Sequence, residues 1–164
     1  WELISCFPEH FEQLGITARL GVIYRPLKND SIEKWYRSQR KIHGMELFKR
    51  KAGLLEVFKF INKGEILALL ADQRVSNGEM SEFFGKPALT TPLVGLLSKR
   101  SSASVVSLTL KYDKTCKLKA AFRLVNFEGS ETREEYAKIT NQELEKVLCS
   151  DLTSGFWFHK RFKT

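Results

Sequence analysis

Leu20-Gly21-Val22-Ile23-Tyr24-Arg25-Pro26 is an apolar run ended by an arginine and a proline. Apolar and β-branched residues run from Leu20 to Tyr24 and stop at Pro26, which cannot donate to a strand ladder, so the run predicts a buried strand. After it, Lys28-Asn29-Asp30 reads as a turn, and Asp30 with Glu33 reads as a helix start, with Ile32, Trp35 and Tyr36 along one face to about Lys41. Gly44 breaks that pattern. Residues 53–62 predict an amphipathic helix with Leu54, Leu55, Phe58 and Ile61 at helical spacing, closed by Asn62-Lys63-Gly64. Ile66 to Ala71 predicts a second buried strand, and a polar loop follows from Arg74 to Glu82. A helix is expected over residues 92–99, with Pro92 near its start. Val105–Tyr112 and Leu118–Val125 predict an antiparallel pair around the turn at Asp113. Thr132 with Glu135 forms a capping box that opens a helix bearing Tyr136, Ile139, Leu144 and Val147. Before Leu20, residues 2–15 read as a short helix and a loop, with Pro8 limiting the helix.

Strands thus alternate with helices and then give way to a hairpin. That order predicts an α/β fold: a mixed, largely parallel central sheet flanked by helices, in one domain over residues 1–164. In such sheets ligands sit beyond the carboxyl ends of the strands. The loops there are Tyr24-Arg25-Pro26 and Asp72-Gln73-Arg74.

Composition narrows the function classes. With 43% hydrophobic and 28% charged residues in 164, the chain builds a core rather than a disordered tail. Lys and Arg number 27 against 19 Asp and Glu, a net +8 that favours anionic partners: phosphates, acidic proteins, acidic lipid headgroups or nucleic acid. Cys6, Cys116 and Cys149 are scattered and odd in number, which argues against a disulfide framework or zinc site and for reduced thiols in a cytosol-facing domain. The longest apolar run, within residues 65–72, is too short to span a bilayer. The opening at Trp1-Glu2 reads as a cut inside a folded element, with any membrane anchor upstream.

Five blocks in order carry a resemblance: Gly21-Val-Ile-Tyr-Arg-Pro26 with Asn29; Arg37, Arg40, Gly44 and Lys51-Ala-Gly53; Lys63-Gly-Glu65 leading to Ala71-Asp-Gln73; Phe83-Phe-Gly-Lys-Pro-Ala88 with Thr90 and Thr91; and Trp157-Phe-His-Lys-Arg-Phe-Lys163. Together they resemble the bacterial lipid A biosynthesis acyltransferases, within the wider lysophospholipid acyltransferase-like group, and they span nearly the whole chain. The family's H-x-x-x-x-[DE] motif often ends in Trp-Glu, so Trp1-Glu2 resembles its close, with the His ahead of this chain. His10, His43 and His159 have no acidic residue five positions on and do not replace it.

The resemblance implies a glycerolipid acyltransferase-like fold and acyl transfer from acyl-carrier protein to a hydroxyl of an anionic glycolipid, at the cytoplasmic face of the inner membrane. It implies no metal or organic cofactor, and no ligand cluster or glycine-rich phosphate loop is present to hold one. Glu2 would orient the upstream His as it takes the hydroxyl proton, with a surface glutamate as the plain alternative. Trp1, Tyr24, Arg25, Pro26, Asp72, Gln73 and Arg74 would meet the acceptor. Arg25 suits bidentate contact with a phosphate or polar head, or pairing with a carboxylate such as Asp72. Gln73 would hydrogen-bond substrate or cap the strand end. Arg37 and Arg40, with Lys49, Arg50 and Lys51, suit lipid phosphates or the acidic carrier protein; the alternative is a solvated helix face. Phe83 and Phe84 are core or line an acyl channel. The terminal Trp157-Phe158-His159 is expected to pack on the core, His159 in a structural role, with Lys160, Arg161 and Lys163 facing anionic lipid.

Three other classes share part of these features. A nucleic-acid-binding module fits the charge, but there is no RNP1-like stretch, G-x-x-G or zinc-finger spacing, and the strand aromatics are expected to be buried. A glycerophosphate acyltransferase would carry an F-P-E-G-T block where this chain has Ala71-Asp-Gln-Arg74. A catalytically silent homologue would only bind lipid or carrier protein.

Overall fold

β1 (Leu20–Tyr24) forms where the apolar run predicts it and lies at the centre of a three-stranded parallel sheet, in the order β2-β1-β3. A computed structural model describes residues 7–42 (backbone alone over 40–42), 44–50, 53–115, 117–152, 155, 161 and 162. Clustering of contacts gives two compact units, Trp1–Leu69 and Leu70–Thr164.

The first unit runs α1 (Phe7–Gln13), β1, α2 (Asp30–Ile42), β2 (Glu46–Lys49), α3 (Leu54–Ile61) and β3 (Ile66–Ala68). Pro8 sits in the first turn of α1, where no intrahelical N–H is required. Leu20, Val22, Tyr24, Met45 and Leu47 form the core, with Phe7 and Ala68 against it. Each aliphatic side chain buried there contributes about 2 kcal/mol. Gly21 has a packing reason: a Cβ there would lie 2.6 Å from the Phe60 ring and 2.8 Å from the Phe48 ring. Those rings meet edge to face over it, with centroids 5.1 Å apart.

Several expectations need correction here. β2 was not foreseen: Leu47-Phe48 between charged residues is too short to show a period, and the strand exists through its parallel register with β1, Gly21↔Glu46 to Tyr24↔Lys49. β3 ends at Ala68 rather than Ala71, because only three residues pair with β1. The helix α2 does start at Asp30, with Glu33 in its first turn, and Asn29 caps it: its Oδ1 accepts from Ser31 N at 3.0 Å and Ile32 N at 3.1 Å. The face of α2 expected to be apolar turns outward: Ile32 and Trp35 are exposed while Glu33 is buried, because polar contacts hold Glu33 inward. On α3 the buried residues are Val57 and Phe60, and Leu54 and Leu55 are exposed.

The second unit contains β4 (Glu79–Phe83), β5 (Lys86–Thr90), α4 (Leu93–Ser101), β6 (Val105–Tyr112), β7 (Leu118–Val125) and α5 (Arg133–Ser150). β4–β5 and β6–β7 are separate antiparallel pairs. The β6–β7 pair and the Thr132–Glu135 capping box stand as predicted. The β4–β5 hairpin lies partly where a loop was expected. Its turn, Phe84-Gly85, has φ of 50° and 71°, so both residues occupy the left-handed region used by tight hairpin turns. Phe at the first of these positions is an uncommon signal. Phe83, Ala88 and Leu148 form core here, so Phe83 is packing; Phe84 is exposed, and its N–H donates to Glu145 at 2.6 Å. α5 packs along β4 and against α4.

The architecture is α/β: among the described residues, five helices, one parallel sheet and two antiparallel pairs. Among those residues no helix is long and apolar enough to cross a membrane.

Candidate functional site

The carboxyl ends of β1 and β2 lie side by side, since Tyr24 pairs with Lys49 and Arg50 N donates to Tyr24 O at 3.0 Å. Beyond them the Tyr24-Arg25-Pro26-Leu27 segment is stapled to α2 by one carboxylate. The Tyr24 hydroxyl donates to Glu33 Oε1 at 2.5 Å, and Leu27 N donates to Glu33 Oε2 at 2.9 Å. Glu33 is 8% exposed. Its carboxyl is held below the ordinary value of 4.5 first by the Tyr24 hydroxyl, then by the Leu27 amide, with the Arg37 and Lys49 charges assisting against burial. The loop is therefore fixed at both ends, while Arg25 and Pro26 between them are exposed.

Beside this staple an open cleft of about 440 Å³ is lined by Asp30, Glu33, Lys34, Arg37, Ser38 and Lys49. Three cations face two carboxylates there, and Glu33 already spends both oxygens on protein donors. The cleft thus presents more free positive than negative charge, as an anionic group requires. Arg37 of the predicted basic cluster lines it, and Lys49 joins from the strand end. The Arg40 side chain and Lys51 lie outside the described residues, as do Trp1 and Glu2.

Glu65, in the predicted Lys-Gly-Glu block, has a structural part. It accepts from Arg19 N at 2.5 Å and Arg19 Nε at 2.8 Å, tying the start of β3 to the start of β1.

Asp72, Gln73 and Arg74 belong to the second unit and are each half-buried. The charge of Asp72 acts on Arg161, a residue expected on a lipid-facing tail. That expectation is corrected. Arg161 is 5% exposed. Its guanidinium donates to Asn141 Oδ1 at 2.6 Å, Thr90 Oγ1 at 3.4 Å and Ala71 O at 3.2 Å, and lies 4.3 Å from the Phe83 ring centroid. Burial pushes the guanidinium down from its ordinary value and the Asp72 charge pushes back. Asp72 Oδ1 and Arg161 Nε are both buried and have no hydrogen-bond partner among the described residues. The Asp72 charge thus offsets part of the cost of burying Arg161. Thr90 Oγ1 also donates to Asn141 Oδ1 at 2.9 Å, and Asn141 Nδ2 donates to Glu82 O at 2.9 Å. The signal for this network was Thr140-Asn141 in the buried stripe of α5, polar where the helical period calls for apolar residues. Trp157, Phe158, His159, Lys160 and Lys163 lie outside the described residues.

Among the described residues, no three His, Cys, Asp or Glu side chains converge to hold a metal ion. The expectation of buried strand aromatics is corrected too: Tyr24 is buried, but Tyr112 and Phe122 are exposed.

A family model described as bacterial lipid A biosynthesis acyltransferase matches residues 12–164. The chain belongs to that family. No curated protein matches it significantly. As a lipid A acyltransferase domain it is of the transferase class that moves an acyl group from a donor to a lipid acceptor in lipid A biosynthesis. In the first unit of this family member, the β1 loop is held by Glu33 beside the cleft that Lys34, Arg37 and Lys49 line.

Proposed function

We propose that this domain transfers a fatty acyl chain from the thioester of acyl-carrier protein to a hydroxyl of an anionic lipid A precursor, at the cytoplasmic face of the bacterial inner membrane. The observation that carries the reading is Arg25, exposed beyond the end of β1 on a loop pinned by Glu33 through Tyr24 and Leu27. An exposed guanidinium on a fixed loop is preorganised for bidentate contact with a phosphate, and the Lys34–Arg37–Lys49 cleft adds charge of the same sign nearby. Pro26, Gln73 and Arg74 complete the proposed acceptor contacts, and Arg40 is a further anionic contact. A neutral histidine before Trp1 takes the hydroxyl proton, and Glu2 fixes its tautomer and stabilises the imidazolium. The hydroxyl oxygen forms the new ester bond to the acyl carbon, the carbon–sulfur bond breaks, and the imidazolium returns its proton to the leaving thiolate.

The test is acyl transfer by the protein carrying that histidine, with acyl-carrier protein thioester and a lipid A precursor, against Glu2→Ala and Arg25→Ala. The expected result is a loss of roughly 10²-fold or more in kcat for Glu2→Ala. For Arg25→Ala a comparable loss in kcat/KM is expected. No transfer by the unaltered protein across several chain lengths and acceptors would overturn the reading.

A further inference from the structure

The β6–β7 hairpin is two-faced, and its apolar face points away from the body of its unit. Register places Val106 opposite Leu124, Leu108 opposite Phe122, Leu110 opposite Ala120 and Tyr112 opposite Leu118, all on one face by the two-residue period of strands. The other face carries Ser107, Arg123, Lys111 and Lys119, and it is the one turned toward α5: Ser107 Oγ donates to Glu143 Oε1 at 2.6 Å and Arg123 pairs with Glu143 at 3.4 Å. On the apolar face Val106 is 50% exposed, Tyr112 and Phe122 62%, and Leu124 71%. A strand pair ordinarily turns such a face to the core, so this arrangement is the reverse of the usual one. An eight-residue ladder extends about 26 Å; Leu108 and Leu110 at its middle are half-buried, and an apolar strip of that length is comparable to the few hundred Å² patches that mark interaction sites.

Charge indicates what covers it. Over residues 105–125 there are five cations (Lys111, Lys114, Lys117, Lys119, Arg123) and one acid, Asp113, a net +4 that is half of the chain's +8. The acid is occupied: Asp113 Oδ1 accepts from Thr115 N, Thr115 Oγ1 and Lys117 N, and Oδ2 pairs with Lys119 at 3.4 Å. Lys111 and Lys119 stand directly opposite in register, and Asp113 pairs with Lys119 of the two. All four lysines are exposed at or next to the turn, and both faces of so thin a ladder lie within about one Debye length, ~10 Å at 0.1 M salt, of an apposed surface.

We propose that this hairpin face docks the protein on a lipid bilayer bearing anionic headgroups, with Val106, Leu108, Phe122 and Leu124 at the level of the acyl chains and the turn lysines among the headgroups. A second copy would set +4 against +4. Nucleic acid stacks on aromatic rings, whereas six of the eight facing side chains are aliphatic. The inference concerns a different surface from the Arg25 loop and does not rest on the transferase reading.

The test uses the 164-residue chain with vesicles of phosphatidylglycerol and phosphatidylcholine in equal parts, and with phosphatidylcholine alone, reading the bound fraction by sedimentation. Anionic vesicles are expected to bind it. Phe122→Ser and Leu124→Ser should each lower the partition coefficient about tenfold. Lys114→Ser with Lys117→Ser should lower it about thirtyfold on anionic vesicles. F122W should give a tryptophan quenched by brominated acyl chains. These side chains are exposed, so the variants should keep the parent's unfolding midpoint. The proposal is overturned by absence of vesicle binding, or by binding that neither set of substitutions reduces. It is equally overturned by a dimer that Leu124→Ser dissociates in place of vesicle binding, or by single-stranded RNA binding at this face in its place.

Discussion

Glu33 shows how one side chain sets a site it need never touch chemically. Both carboxylate oxygens are used, one on the Tyr24 hydroxyl and one on the Leu27 amide, so the exposed Arg25 between them is held without being covered. Glu33→Ala is expected to speed hydrogen exchange of the Leu27 amide at least about tenfold. Unchanged protection would show that the loop is fixed by other means. Arg161 makes the opposite point, a cation kept for its burial. Arg161→Met should destabilise the chain by about 3 kcal/mol in urea unfolding, because it strands the buried Asp72 charge. Adding Asp72→Asn should recover part of that loss. Additive losses would deny the pairing.

At the scale of elements, β1 is specified by its own residues, but its packing is specified by Gly21. Gly21→Ala places a methyl group within contact-forbidding distance of the Phe48 and Phe60 rings. The expected cost is about 1–3 kcal/mol, read as a lower urea midpoint, and Phe60→Leu in the same chain should return part of it. The strand-and-helix alternation, the β6–β7 pair and the Thr132–Glu135 box were legible because each signal lies within a few residues of sequence: an apolar run, a turn, a cap. β2 and the β4–β5 hairpin were not. The first is four residues long and takes its strand geometry from β1, and the second turns on Phe84-Gly85 rather than on the residues that usually announce a tight turn.

For the whole molecule, acid sensitivity follows from several carboxylates shifted in one direction. Glu33, Glu65, Asp113 and Glu135 are all held below their ordinary values of 4.5, 4.5, 3.8 and 4.5, in each case chiefly by hydrogen bonds that the charged form accepts. A carboxylate lowered by folding stabilises the native state above its unfolded value, and that contribution is lost as pH falls through the folded one. The urea midpoint is therefore expected to stay level from neutral pH to about 5 and to fall below about 4.5, steepened by repulsion in a chain already at +8. Lys99 is raised above 10.5 by Glu131, so its contribution is present below that value and lost as pH rises through the higher folded one. A midpoint that held steady down to pH 3 would contradict these assignments.

Local period, punctuation and ordered motifs suffice for the α/β class, the strand ending at Tyr24-Arg25-Pro26, the hairpin over 105–125, the capped helix after Thr132 and the family resemblance. Packing is what closes Glu33 on Tyr24 and Leu27, draws Arg161 inward to groups up to 90 positions away and turns the apolar face of the hairpin outward. The reason is physical: a buried polar group is satisfied by whichever partners the packed chain brings within hydrogen-bond reach, and neither the identity of those partners nor the side of a ladder that meets the core is written in the spacing of neighbouring residues.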